Sequence, residues 1–132
     1  MSRDEIKAEA GRLSRPGSTI RCVDEPDAVV VILEPFTLPV AGVYDQDEVG
    51  ALAFRVPLEY PDASPDPTGF CVKPALHMKG THQQPHASGT QLLFGEHWMK
   101  FSWAPKGARW DPETDSLESH LAMIERRFLR RS

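Results

Sequence analysis

Residues Ser116 to Arg130, SLESHLAMIERRFLR, carry the pattern that most restricts what this chain can fold into. Leu117, Leu121, Ile124 and Phe128 recur at helical spacing and form one apolar stripe, while Glu118, Glu125, Arg126 and Arg130 face away. A helix of this kind gains most of its stability from covering its stripe with another apolar surface. Asp111-Pro112 is the expected start, since proline is tolerated at the first helical position. Asp115 and Glu118 stand at capping-box spacing. The rest of the chain must supply the surface that this helix covers.

It does so with strands. Ser18 to Val23 (STIRCV), Ala28 to Leu38 (AVVVILEPFTL), Ala51 to Leu58 (ALAFRVPL) and Gly69 to Leu76 (GFCVKPAL) are rich in β-branched and aromatic residues, with Pro35 marking an edge or a bulge. Short connections between them imply an antiparallel meander. Ahead of the strands, Ile6, Ala10 and Leu13 lie at helical spacing behind an acidic first turn, so Ser2 to Leu13 is read as a short helix ended by Arg15-Pro16-Gly17. His77 to Gly89 is polar and is read as a surface loop. Phe94 to Pro112, which holds Trp98, Trp103 and Trp110, is read as an irregular aromatic segment. The expected fold class is α+β: an N-terminal helix, a four-stranded antiparallel meander, the irregular segment, and a C-terminal helix packed on the sheet. A length of 132 residues leads us to expect one domain over 1–132.

Charge and motif content exclude several function classes. With a formal net charge of -4, no global field favours nucleic acid or an anionic membrane. The longest apolar run, Ala28 to Leu33, is far too short to span a bilayer, and no charged-then-apolar leader is visible, so a soluble cytoplasmic protein is expected. Neither G-x-x-x-x-G-K-[ST] nor G-x-G-x-x-G occurs, so there is no nucleotide fingerprint, and G-x-S-x-G is absent too. No cofactor is implied. Arg126, Arg127, Arg130 and Arg131 form a basic cluster that complements the dipole of the last helix, and they are read as a solvated end.

Three sets of reactive side chains are weighed. Cys22 and Cys71 do not make a disulfide framework; Cys71 alternates with Phe70 and Val72 on a strand and reads as an inert packing residue, as does Cys22. His77, His82 and His86 share one loop, and the last two have the H-x3-H separation of some zinc sites. No cysteine is spaced to complete that set, so the loop is read as polar surface, with a small metal-binding protein kept as a third functional reading. The remaining set lies around Ser102.

Tyr60-Pro61 with Pro65, a strand beginning at Phe70, Trp110-Asp111-Pro112 and the helix Ser116 to Leu129 occur in an order and spacing that resembles the ubiquitin-conjugating (UBC-like) superfamily. The likeness is nearest to its divergent prokaryotic branch, found beside ubiquitin-like proteins and activating-enzyme-like (ThiF-like) proteins, which are the partners the resemblance implies. It also implies a cysteine shortly before Trp110 that carries the modifier as a thioester, and an upstream asparagine at the oxyanion. This sequence has no cysteine there and no asparagine at all. Counting back from Trp110 by the interval usual in that superfamily places Ser102, or a residue very near it, at the reactive position; anchoring on Gly89, taken as the glycine just before the superfamily's cysteine, places Leu92 there instead. Two readings stand. In one, Ser102 accepts the modifier as an oxyester, with His97, the nearest histidine in sequence, as its base. In the other, Ser102 is a small polar residue on a non-catalytic UBC-like adaptor. In both, Trp110 and Pro112 fix the start of the last helix.

Overall fold

A computed structural model describes residues 1–65, 69–85, 88–102 and 110–129. The first helix, α1 (Arg3–Gly11), is set by a capping box: the Ser2 hydroxyl accepts from the Glu5 amide and the Glu5 carboxylate accepts from the Ser2 amide. Its inward residues Ile6 and Ala10 are buried. Among the described residues eight strands follow: β1 (Thr19–Glu25), β2 (Ala28–Glu34), β3 (Phe36–Thr37), β4 (Glu48–Val49), β5 (Ala51–Pro57), β6 (Gly69–Lys73), β7 (Ser88–Leu93) and β8 (Glu96–Ser102). The last described element is α2 (Leu117–Phe128).

Six strands form one sheet in the order β1-β2-β5-β6-β8-β7, and every pairing is antiparallel. The expected four-stranded meander is β1, β2, β5 and β6, joined by a small β3-β4 pair after Pro35. Two expectations need correction. The end of the polar loop and the first half of the irregular segment are strands β7 and β8, a hairpin turning at Phe94-Gly95 with both residues at positive φ (53° and 76°). The last helix starts five residues beyond Pro112. The Asp111 amide donates to the Asp115 carboxylate and the Asp115 amide to the Asp111 carbonyl, so residues 112–114 are held as a turn. The capping box is therefore built by Ser116 and Ser119, not by Asp115 and Glu118.

Alternation along the strands gives the sheet two unlike faces. One carries Leu33, Leu52, Phe54, Phe70, Val72 and Phe101, covered by Ile6 and Ala10 of α1 and by Leu117, Leu121, Ile124 and Phe128 of α2. At its centre Phe70 and Phe101 stack 5.1 Å apart, and Phe128 packs against both at 5.3 and 5.2 Å. The other face carries Val30, Ile32, Ala51, Ala53, Cys71, Leu93 and Trp98, all buried, with neither helix upon it. Ion pairs roof it instead: Arg21–Glu34 at 2.7 Å, Arg55–Glu25 and Lys73–Glu96, with the Lys73 ammonium 4.8 Å from the Trp98 ring centroid. The close β6–β8 pairing needs Gly69: its φ is +139°, and a Cβ there would collide with the Phe101 carbonyl oxygen.

Candidate functional site

Ser102 is the last residue of β8 and is exposed, with Gly69 of β6 as its register partner. Because Met99 and Phe101 point into the helix-covered core, Ser102 stands with Trp98 and Lys100 on the helix-free face. His97 has the opposite parity. Five residues of extended chain separate it from Ser102 by about 17 Å, so the structure does not bring these two side chains together. His97 instead lies across from Leu92 of β7, both exposed at the far end of the hairpin. The two ways of counting to the reactive position thus reach different strands and opposite faces. Trp103 and His86 lie outside the described residues.

The Tyr-Pro landmark is a junction. The Tyr60 hydroxyl donates to the Glu9 carboxylate of α1, and the same carboxylate oxygen accepts from the Leu117 amide, the first of α2, at 2.9 Å. The Trp110 indole donates to the Pro61 carbonyl, and its ring lies 5.8 Å from that of Tyr60. Burial, and next the bond to Glu9, raise the Tyr60 pKa, so the phenol stays a donor. Arg15 ties the end of α1 to α2 through Glu118 at 2.9 Å and Glu125 at 2.8 Å, and its bond to Glu125 raises its own pKa. Trp110 therefore does fix the approach to α2, and a groove of about 720 Å³ runs between these elements, past Arg12, Tyr60 and Pro112.

Neither cysteine is presented for acyl transfer. Cys71 is 2% exposed on the helix-free face, its Sγ 3.7 Å from Gln91 Oε1. Cys22 is half-buried on β1, and desolvation pushes its thiol pKa up, away from the reactive thiolate. His77 Nδ1 faces Asp45 at 3.5 Å and His82 is exposed; among the described residues no three of His, Cys, Asp and Glu gather as metal ligands.

Two buried polar residues of α2 depart from the expected pattern. Arg127, expected at a solvated end, is 4% exposed and lies 5.2 Å from the Phe101 ring centroid, whereas Arg126 is exposed. His120 is 2% exposed beside Phe54, and desolvation lowers its pKa to about 4. Both flank the apolar stripe, at Phe128 and Leu121 respectively, and that adjacency is the signal available in the sequence. No described helix is long and apolar enough to cross a membrane.

The model of a family described as Prokaryotic E2 family E matches residues 7–131. No curated protein and no solved structure matches the chain.

Proposed function

From a chain that belongs to prokaryotic E2 family E, we propose a UBC-like protein of a bacterial conjugation pathway that takes the activated C-terminus of a ubiquitin-like protein onto Ser102 as an oxyester. The observation that carries the reading is placement: Ser102 ends β8 exposed, directly before the segment that leads to Trp110, while Cys71 is buried and Cys22 sits on β1 with a raised pKa. On the count back from Trp110, Ser102 offers a hydroxyl at the position where the resemblance implies a thiol. His97 faces the other side of β8 and has no part in this reading.

That same orientation favours a second reading, a non-catalytic adaptor that binds a ubiquitin-like protein or an activating-enzyme-like (ThiF-like) protein. A serine is a weak nucleophile without an activating group. One experiment separates the two. The chain is incubated with ATP, an activating-enzyme-like protein and a ubiquitin-like protein from the same genome, and resolved by denaturing electrophoresis. An adduct that survives thiol reductant, yields to hydroxylamine and disappears in Ser102→Ala supports the oxyester; binding without an adduct supports the adaptor.

A further inference from the structure

The six-stranded sheet has two edges, and they are finished differently. β1, at one end of the strand order, carries Arg21, Asp24 and Glu25, each in an ion pair. Charges of that kind keep an edge strand from pairing with another chain. β7, at the other end, reads SGTQLL, with neither a charge nor a proline. Gly89 and Thr90 are exposed, Leu92 is 59% exposed, and Phe94, just beyond the strand, is 45% exposed.

The hairpin decides which backbone groups of β7 face outward. Its two-residue turn makes Leu93 and Glu96 a hydrogen-bonded pair. Such pairs alternate along an antiparallel ladder, so Gln91–Trp98 and Gly89–Lys100 are hydrogen-bonded too. The N–H and C=O groups of Ser88, Thr90 and Leu92 therefore point away from β8, and among the described residues no backbone hydrogen bond engages them.

We propose that β7 is a self-association edge, to which a second copy of this chain adds its own β7 antiparallel, about a two-fold axis through Thr90. The axis sets Thr90 opposite Thr90 of the second copy and Ser88 opposite Leu92, three close pairs that together form about six hydrogen bonds. An axis through Gln91 serves less well, because its outermost pairs need Phe94, which lies in the turn. The two-fold keeps each side chain on its own face of the joined sheet, and it closes the assembly at two chains, since each copy spends its one uncharged edge. Charge favours a second copy as the occupant. The chain carries a formal net charge of -4, so two copies repel over most approaches, yet β7 meeting β7 brings no charged side chain against another. An acidic or a basic peptide finds no counter-charge on this strand. Two strands of this length bury less than the roughly 1,600 Å² of a standard interface, so the dimer is reversible. The surface is independent of the Ser102 reading.

The test is sedimentation of the full chain from about 1 µM to about 500 µM, a range that spans weak, reversible association. Wild type moves from the mass of one chain toward that of two. Thr90→Lys places like charges at the axis, and Thr90→Pro removes an outward N–H without touching the ladder to β8; both stay at the mass of one chain throughout. Thr90→Val, which keeps the backbone donor, dimerises like wild type. Thermal melting checks each variant, and the result is read from whichever of Thr90→Lys and Thr90→Pro melts as wild type does. Register is read by oxidation and non-reducing electrophoresis. Thr90→Cys faces itself across the axis at about 5.5 Å between Cα atoms, within reach of a disulfide, and is captured as a covalent dimer; Leu92→Cys faces Ser88 and is not. Wild type with the mass of one chain at every concentration overturns the proposal. So does a dimer that persists in a folded Thr90→Lys or Thr90→Pro, which places the association elsewhere, a mass that climbs past two chains, or capture of Leu92→Cys as readily as Thr90→Cys.

Discussion

The two faces of the sheet are built by different means. On the covered face, two helices press Phe70, Phe101 and Phe128 into one aromatic contact, and stability comes from apolar area taken out of water. On the helix-free face the strands present Ala51, Ala53, Cys71 and the bare backbone of Gly69 and Gly89, shielded by long side chains paired across strands. Exposed ion pairs of this sort contribute little each. The helix-free face is also the one on which Ser102 lies.

This contrast can be broken by experiment, starting where the effect is largest. Phe128→Ala should cost about 3–5 kcal/mol in urea unfolding; a loss below about 1 kcal/mol would mean that the covered face is not the energetic centre. The next effect is a pH dependence. His120 binds its proton less readily folded, near pH 4, than unfolded, near 6.5. Across that window the unfolded state holds more protons, so stability falls as the pH drops and is fully present above it. The loss approaches something on the order of 3 kcal/mol at the acid end. It is read as the difference between wild type and His120→Leu followed from about pH 7 to about pH 4; parallel curves would refute it. Glu9→Ala deprives the Tyr60 hydroxyl and the Leu117 amide of their shared acceptor and should cost about 2 kcal/mol. Smallest of all, Arg21→Ala on the helix-free face, where the Arg21 side chain is 54% exposed, should change stability by less than about 1 kcal/mol. A loss as large as that of Glu9→Ala would erase the distinction between the faces.

Much of this architecture is legible in the residues because single elements carry their own signal. The stripe of α2 and the four meander strands are such elements, and so is the Trp110 approach to the last helix. The β7–β8 hairpin is not legible, for two physical reasons. Its turn is Phe94-Gly95, where a phenylalanine adopts a positive φ that normally goes to asparagine or glycine. Its second strand buries Trp98 and Met99 on successive positions, one toward each face, so the alternation that marks a half-buried strand is lost. The relation of His97 to Ser102 is hidden for the same reason: closeness in sequence says nothing of reach until the segment is known to be extended.

The Glu9 carboxylate reaches a backbone amide 108 residues further along the chain, and Arg15 reaches Glu125 across 110. Closing loops of that length adds an entropic cost that grows only with the logarithm of their length, but it sets an order of events. While the protein is being synthesised, the N-terminal helix and the apolar side of the sheet must wait for the last residues before they can be sealed. A ribosome that stalls, or a protease that clips ahead of Ser116, would release a sheet with Phe70 and Phe101 open to water and prone to associate with its own kind. The final helix thus acts as the latch that turns an aggregation-prone nascent sheet into a folded protein.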